Sequence, residues 1–463
     1  MKGYNGWSYA PYKPFLFETG DIYICRVAPG KNSIHFEWIG EAGMEYEIFI
    51  REKDEREFLY CGKTKETQYT IENLVEKRDF EFYVISEGKY SRIRLARTGE
   101  TVGTVVNYLH PEDQAYSFSG NYLCSPSLLK YPDGTLLASM DVFKSEAPQN
   151  LTLIYRSDDN GKTWHYVSEL MPCFWGKMFL HKNELYMLAT STEYGDLLIG
   201  KSTDKGKTFS TPTVLLRGSS SNKSAGVHKN PQNVVFYKGR IYETLEWGTW
   251  GTTYKHAAMV MSCDENKDLL IAENWNFTEP LIYDQNWEGV ASGQVNGTLE
   301  GTLCVNPKGE LMNIMRYETS IYSDPKYGLV LQYKVNTEDP DAQLTYSHST
   351  KFPANRSKFM MKYDNESKKY YSIATRILSD SRTNNRNLLS LMVSDDMENW
   401  EVLSDLLDYR NCNAEKIGFQ YVDFEFDGDD IIYLCRTAFN NANNYHDANY
   451  STFHRIEKFR NLL

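Results

Sequence analysis

The chain has 463 residues, a formal net charge of −12 and no cluster of lysines and arginines. This balance argues against nucleic acid or an anionic membrane surface as the main partner, although a few arginines could still hold a small anionic substrate. No apolar run approaches the length needed to span a bilayer, so no membrane insertion is expected.

The chain is rich in aromatic residues, with 34 tyrosines, 22 phenylalanines and 9 tryptophans, which suits both β-structure and sugar binding. Its eight cysteines are scattered and form no C-x-x-C pair, so we expect buried free thiols and neither a metal site nor a cofactor. The first ten residues lack the apolar core of a signal peptide. We therefore expect a cytoplasmic protein, or a secreted or periplasmic one whose leader has been removed.

Residues 1–18 are aromatic and contain prolines, which predicts an irregular arm. Residues 19–100 then show short alternating strands separated by turns, among them 34–38, 46–50 and 80–84. Trp38, Tyr46 and Leu74 resemble the core markers of fibronectin type III domains. The resemblance implies a β-sandwich that serves as a spacer or docking module, with glycan binding by its exposed aromatics as the weaker alternative.

A turn motif recurs after strand-like runs further along the chain. It reads Ser-x-Asp-x-Gly-x-Thr-aromatic at 157–164 and 202–209, and it returns without its glycine and threonine at 394–400. Ser262 and Asp264 with the later Trp275 form a possible interrupted copy. The aspartate can accept backbone N–H bonds within the turn, and the glycine can take a positive φ. A corner repeated at separated positions indicates a repeated unit.

This motif resembles the Asp box of sialidases and related β-propellers. Six groups of strands accompany it, namely 125–167, 175–215, 231–281, 301–349, 358–403 and 421–456. The early strand 102–106 is available to complete the last sheet and close the ring. With no long helical periodicity, the prediction is an all-β chain in which a fibronectin-III-like β-sandwich precedes a six-bladed sialidase-like β-propeller over 101–463.

Several ionisable residues occupy positions that resemble the sialidase pattern. Glu300 opens a strand and Arg316 closes the next, Arg386 precedes the third turn motif, and Tyr421 stands where sialidases carry their nucleophile. The resemblance implies that Tyr421 is the nucleophile, Glu300 its base, and the two arginines clamps for a carboxylate. A neutral phenol suits this chemistry, because an anionic nucleophile would be repelled by the carboxylate of an acidic sugar.

The proton donor of sialidases lies in the loop before the first Asp box, so the resemblance implies Glu146 or Asp141 for that role. One departure stands out, because Cys124 occupies the position of the first of the three sialidase arginines. Either another cation replaces that arginine or the sugar is not a sialic acid.

The likeness extends to bacterial proteins of the sialidase and BNR-repeat group, from about residue 118 onward. It includes the Tyr421–Asp423 segment, Arg436-Thr-Ala, and His446 with Asp447. Asp423, His446 and Asp447 are therefore candidate substrate-binding residues. His228, in a polar loop, joins them as a secondary candidate that could also serve as a base.

These observations favour an exo-acting glycoside hydrolase that removes a terminal, acidic sugar from a glycan. Two alternatives remain open. One is a polysaccharide lyase, in which a tyrosine or His228 abstracts a proton next to a carboxylate held by Arg386. The other is a glycan-binding propeller without catalysis. The cysteine at position 124 favours this alternative, because it stands where sialidases have an arginine.

Overall fold

The computed structural model describes Trp7 and residues 22–41, 43–290, 295–319, 328–354, 357–376 and 385–463. The all-β prediction is confirmed, because the only helical segments among these residues are the short 3₁₀ turns Ala272–Asn274 and Phe459–Leu462. In this part of the chain, no helix is long and apolar enough to cross a bilayer. The predicted arm at 1–18 lies outside the described residues except for Trp7, which is fully buried and donates from Nε1 to the carbonyl of Pro172 at 2.9 Å.

Two sheets form the N-terminal part of the chain. One contains β1 Tyr23–Pro29, β2 Ile34–Ile39 and β5 Gln68–Ile71, and the other contains β3 Tyr46–Glu52, β4 Leu59–Thr64, β6 Asp79–Ser86, β7 Lys89–Tyr90 and β8 Arg94–Arg97. Strand β6 alternates between buried and half-buried residues, as expected of a strand with one face on a core. Phe36 of the first sheet packs against Phe82 of the second at 4.7 Å between ring centroids. The two sheets thus share one core, and their kinship with fibronectin type III domains stays a prediction.

Within the described residues, six further sheets of four or five strands follow one another along the chain. Their strands are β10 Tyr122–Lys130, β11 Leu136–Phe143, β12 Leu151–Ser157 and β13 His165–Leu170; β14 Phe174–His181, β15 Glu184–Thr190, β16 Leu197–Ser202 and β17 Thr213–Leu216; β18 Gly226–His228, β19 Val235–Tyr237, β20 Arg240–Gly248, β21 His256–Asp264 and β22 Trp275–Phe277; β23 Val295–Val305, β24 Leu311–Thr319, β25 Leu329–Lys334 and β26 Thr345–Lys351; β27 Met361–Asp364, β28 Lys369–Thr375, β29 Leu388–Ser394 and β30 Trp400–Asp408; and β31 Gly418–Asp427, β32 Asp430–Ala438, β33 Tyr450–Ile456 and β9 Thr104–Tyr108. Each sheet falls on one of the strand groups read from the sequence.

The last sheet is completed by a strand from the other end of the chain. Strand β9 pairs antiparallel with β33, so that Tyr108 lies opposite Tyr450 and Val105 opposite Thr452. The sequence predicts this closure from the run 102–106. Because β9 precedes the first of the six sheets, its pairing ties the beginning of this region to its end and covers an otherwise free sheet edge.

The first strands of the sheets are joined to one another across the centre of this region. Ser127 of β10 accepts the backbone N–H of Met178 in β14 at 3.0 Å. Thr302 of β23 accepts the N–H of Met361 in β27 at 3.4 Å. These bonds hold neighbouring sheets at fixed positions, so side chains at one end of the first strands can converge.

The N-terminal sandwich is held against this region by buried polar contacts. Arg26 donates to the carbonyls of Val106 and Val105 at 2.8 and 3.0 Å. Arg94 pairs with Asp113 at 2.7 Å, and both side chains are at most 3% exposed. Burying such charges unpaired would be costly, so these contacts fix the sandwich to the larger region.

The repeated turns 157–164 and 202–209 share the hydrogen bonds among their serine, aspartate, glycine and threonine residues. In the first, Asp159 accepts from the N–H of Thr163 at 2.9 Å and from its hydroxyl at 2.6 Å, and Trp164 donates to the Gly161 carbonyl at 3.2 Å. Burial alone would raise the pKa of Asp159, but the bonds from Thr163 and Ser157 bring it down to about 2. The aspartate is therefore an ionised acceptor that holds the turn together.

The turn at 394–400 reaches the same form with other residues. Met397 takes a φ of +67° where Gly161 has +84°. The side-chain amide of Asn399 donates to Asp396 at 2.8 Å, which replaces the bond from the threonine hydroxyl. The Trp400 indole still donates to the carbonyl of residue 397, at 3.0 Å. The turn therefore keeps its form although the glycine and the threonine are absent.

All eight cysteines are free thiols. Six of them are buried, as the sequence predicts, while Cys61 is half-buried and Cys412 is exposed.

We expect Asp159→Ala to lower the free energy of unfolding by about 1–2 kcal/mol, because the turn loses a charged acceptor of several hydrogen bonds. Asp158→Ala is the matched control. Its carboxylate is exposed and pairs with Arg156 at the surface, so its removal should change stability by less than about 0.5 kcal/mol. Urea denaturation of both variants checks this. Equal losses would contradict the role of Asp159.

Candidate active site

The first strands of four sheets contain the same backbone irregularity. Ser125 in β10, Trp175 in β14, Glu300 in β23 and Tyr421 in β31 have φ values of +50°, +53°, +53° and +56°. In each strand the pairing register with the next strand shifts around this residue. Such a bulge turns a side chain away from the direction that the strand pleat would give it.

These four bulge residues line one cavity of about 580 Å³. A volume in this range accommodates a small ligand. The cavity also receives side chains from the loops that follow the second strands of several sheets. Among the candidates from the sequence, Glu300, Arg316, Arg386, Tyr421, His228, His446 and Asp447 line it.

A hydrogen bond joins Tyr421 to Glu300, two of the residues that line the cavity. The phenol oxygen lies 2.6 Å from Glu300 Oε1. Burial and the charge of Glu300 raise the pKa of Tyr421 to about 12, against the opposing effect of nearby arginines. Burial would also raise the pKa of Glu300, but Arg316, His228 and the bond from the phenol outweigh it and hold that pKa below its usual range. A neutral phenol therefore faces an ionised carboxylate that can accept its proton.

Arg316 holds this carboxylate in place. Its Nη1 pairs with Glu300 Oε2 and lies 3.3 Å from the Tyr421 oxygen, while Nη2 pairs with Glu318 at 2.7 Å. Two carboxylates already compensate its charge. Arg316 therefore holds Glu300 and Tyr421 relative to each other, in addition to presenting a charged group to the cavity.

Arg386 differs from Arg316, because no carboxylate of the described residues lies within 4 Å of its guanidinium. It donates to the side-chain oxygen of Gln420, and its Nε has no partner among the residues that the structure describes. Burial and the neighbouring Arg316 and Arg436 lower its pKa to about 10, which still leaves it charged at neutral pH. A buried cation without a counter-charge beside a cavity indicates a place for an anion.

Arg436 is a third guanidinium that the sequence candidates do not include. It lies in β32 opposite Gln420, 5.1 Å from the Tyr421 ring centroid and 4.6 Å from that of Phe143. It donates to the His446 carbonyl at 2.5 Å, and no described carboxylate pairs with it. The likeness at Arg436-Thr-Ala was the signal that could have identified it.

At the position of the missing first arginine, the cavity wall is neutral. Cys124 is buried, and burial raises the pKa of its thiol. Arg436 reaches the same cavity from the last sheet. Arg316, Arg386 and Arg436 therefore all line this cavity, and Arg436 is a cation that the sequence candidates did not supply.

The structure does not bring the two candidate proton donors to the cavity surface. Asp141 is fully buried behind the wall, where it accepts from the Trp175 N–H at 2.6 Å and the Thr152 hydroxyl at 2.5 Å. Burial raises its pKa to about 7. Glu146 lies in the loop after β11 with an exposed side chain, while its neighbours Ser145 and Gln149 line the cavity.

Asp423 also lies away from the cavity, which corrects its assignment as a substrate-binding residue. It is fully buried between β31, β10 and β14, where it accepts from the Leu128 N–H at 2.8 Å and from Lys177 Nζ at 2.5 Å. The physical reason is the bulge. The pleat alone would place residues 421 and 423 on the same face, but the register shift between Gln420 and Asp423 separates their directions, so Asp423 meets Leu128 and Lys177 instead of the cavity.

His446 and Asp447 form a rim on the side of Arg436. Nδ1 of His446 lies 3.1 Å from Asp447, and burial together with Arg436 lowers the pKa of this histidine to about 4. Asp447 also accepts from the amides of Asn443 and Asn444 at 2.7 and 2.8 Å. This aspartate is therefore occupied with holding its own loop.

His228 lies on the opposite wall, at the end of β18. Its Nδ1 is 2.6 Å from Glu246, a buried residue of β20. Its ring packs against Trp175 and His256 at centroid distances of 4.6 and 4.4 Å. Elsewhere in the described part of the chain, as here, no group of three or more histidine, cysteine or carboxylate side chains is placed to hold a metal ion.

Comparison with known proteins identifies relatives only at the level of structure. No protein-family model and no curated protein matches the chain. A solved structure titled Hadza microbial sialidase Hz136 superposes with a TM-score of 0.50 at 12% identity over 95% of each chain. An α-L-arabinanase of Penicillium chrysogenum, complexed with arabinobiose, reaches 0.50 at 13% identity over 78% of this chain and 98% of its own.

A Trypanosoma rangeli sialidase in complex with 2,3-difluorosialic acid also reaches a TM-score of 0.50. Its identity is 13%, and the match covers 74% of this chain and 55% of the other. At these identities the likeness shows the fold alone. The chain therefore has the fold of β-propeller glycosidases.

We expect Asp423→Asn to lower the free energy of unfolding by about 3–5 kcal/mol, because Lys177 is then left buried without its counter-charge. Replacing both partners, as Lys177→Met with Asp423→Leu, should recover most of the loss. Thermal and urea denaturation check both variants. A variant at position 423 that keeps full stability and loses only substrate affinity would restore the original assignment.

Proposed function

We propose that this protein is an exo-acting glycoside hydrolase that removes a terminal acidic sugar from a glycan. The observation that carries the proposal is the Tyr421–Glu300 hydrogen bond beside two buried arginines, Arg386 and Arg436, that have no carboxylate partner among the described residues. In this proposal the six sheets are the blades of a six-bladed propeller, and the N-terminal sandwich is a fibronectin-III-like module.

The first step transfers the glycosyl group to the protein. Tyr421 attacks the anomeric carbon, the bond to the leaving oxygen breaks, and the phenol proton passes to Glu300 over the 2.6 Å contact. Arg316 keeps Glu300 ionised before the step and holds it at the phenol. Water then releases the sugar from the tyrosine, so that the configuration at the anomeric carbon is retained.

The unpaired arginines explain why the nucleophile would be a tyrosine. A sugar carboxylate bound to Arg386 and Arg436 places negative charge next to the anomeric carbon, since charge-assisted bonds to guanidinium are strong and directional. A carboxylate nucleophile would be repelled there, whereas a phenol that gives up its proton only during attack is not.

The two alternatives differ from this proposal in a measurable product. A lyase acting on a uronate-containing glycan would yield an unsaturated acid that absorbs in the ultraviolet, whereas hydrolysis yields a saturated reducing sugar. A binding propeller would retain acidic glycans without turnover. Incubation of the protein with acidic oligosaccharides, followed by mass spectrometry of the products, separates the three outcomes.

We expect Tyr421→Phe to lower kcat/KM by roughly 10³-fold or more, since the nucleophilic oxygen is removed while the ring remains. Release of the terminal sugar from an acidic oligosaccharide measures this. Tyr445→Phe is the control. The ring centroid of Tyr445 lies 5.6 Å from the guanidinium carbon of Arg386, and this tyrosine makes no hydrogen bond to Glu300. Unchanged hydrolysis by the Tyr421→Phe variant would remove the mechanism.

We expect Arg436→Gln to raise KM for a carboxylate-bearing glycoside by about 10- to 100-fold, the loss of one charge-assisted hydrogen bond. An analogue in which the carboxylate is reduced to an alcohol should be little affected. Arg316→Gln should instead lower kcat as well, because it releases Glu300. Steady-state kinetics on the matched pair of substrates distinguishes the two arginines, and equal losses on both substrates would contradict an anion clamp.

A further inference from the structure

Next to the Tyr421–Glu300 pair lies a histidine–glutamate pair with no role in the steps above. Glu246 is only 1% exposed, and its Oε2 lies 2.6 Å from Nδ1 of His228. Its other oxygen accepts the backbone N–H of Gly301 at 3.3 Å. Since Gly301 follows Glu300 in the chain, Glu246 fixes the histidine relative to the strand that carries the base.

The imidazole of His228 packs against two neighbouring rings. Trp175 and His256 pack against it at 4.6 and 4.4 Å, and Trp175 is itself one of the bulge residues that line the cavity. With Nδ1 directed at Glu246, the remaining nitrogen is Nε2, which bonds to no described residue. His228 lines the cavity, so Nε2 is the atom it can offer to a substrate.

The carboxylates near the cavity are less suited to give a proton to a leaving group. Asp447 accepts bonds from three side chains, and these bonds outweigh burial and hold its pKa below the usual range. Asp141 is buried behind the wall, and Glu146 is exposed outside it. Glu193 does line the cavity, but its carboxylate accepts the Gln149 amide at 2.8 Å.

We propose that His228, oriented by Glu246, is the residue that donates the proton to the leaving glycosidic oxygen. This inference rests on the function proposed above. As Tyr421 forms its bond to the anomeric carbon, the carbon–oxygen bond to the leaving group breaks, and that oxygen takes the proton from Nε2 of the imidazolium. The neutral imidazole then removes a proton from the attacking water, while Tyr421 recovers its proton from Glu300. Glu246 keeps its charge throughout and stabilises the imidazolium.

The test compares leaving groups in the same variant. Methyl and 4-nitrophenyl glycosides of N-acetylneuraminic acid, glucuronic acid and galacturonic acid are given to the wild type, His228→Gln and Glu246→Gln. A methoxide needs a proton as it leaves, whereas a nitrophenolate does not. We expect His228→Gln to lower kcat/KM by about 10²- to 10⁴-fold on the methyl glycoside and by less than about tenfold on the nitrophenyl glycoside. Glu246→Gln should also lower kcat/KM more on the methyl glycoside than on the nitrophenyl glycoside, with a smaller difference between the two losses.

For each protein we take the ratio of kcat/KM on the methyl glycoside to kcat/KM on the nitrophenyl glycoside. Both values come from one preparation, so the fraction of misfolded protein cancels from the ratio. His181→Gln is the matched control, because this buried histidine bonds to the Glu265 carbonyl at 2.8 Å and does not line the cavity, so it should keep the wild-type ratio. Equal losses on both substrates in His228→Gln would overturn the assignment. So would a leaving-group dependence that appears in Glu193→Gln or Glu146→Gln instead.

Failure of the proposed function is recognisable separately. A wild type that hydrolyses none of these glycosides, or that yields an unsaturated product from the uronates, overturns the hydrolase and the proton donor together. The other outcome is that the wild type hydrolyses one of these glycosides and the His228→Gln variant has the same ratio of kcat/KM values on the two leaving groups. That result would overturn the assignment of His228 and leave the hydrolase proposal intact.

Discussion

The candidate site depends on one backbone feature repeated in four strands. Ser125, Trp175, Glu300 and Tyr421 each adopt a left-handed conformation at a bulge in the first strand of a sheet. For a residue other than glycine this conformation costs about 1–2 kcal/mol, so the surrounding sheets must hold it in place. The bulges turn all four side chains toward the same cavity, and the hydrogen bond between Tyr421 and Glu300 is a consequence.

The electrostatics of the cavity follow from how the charges are paired. Arg316 is neutralised by Glu300 and Glu318, which makes it part of the scaffold that prepares the tyrosine. Within the described part of the chain, Arg386 and Arg436 donate to neutral oxygens of Gln420 and His446. The cavity thus holds positive charge that the described protein does not compensate. This difference separates Arg316, which two carboxylates neutralise, from Arg386 and Arg436, which have no carboxylate partner among the described residues.

Much of the site could be predicted from residue type and order. Glu300, Arg316, Arg386 and Tyr421 were identified by their places relative to strands and turns, and all four line the cavity. Arg436 was not among the candidates, because the analogy with sialidases placed the remaining arginine at the position of Cys124. Asp423 was misassigned because proximity in sequence to Tyr421 does not reveal that the bulge sends the two side chains to opposite sides.

The sequence by itself determined the all-β class, the strand groups and the repeated turns, because strand alternation and Ser-Asp-Gly-Thr corners depend on residues close together in the chain. The tertiary structure alone decided which side chains meet. The closure of β9 on β33, the burial of Lys177 against Asp423 and the approach of His228 to the Glu300 strand join residues far apart in sequence. The balance of charge in the cavity is a property of those long-range contacts, and no local pattern encodes it.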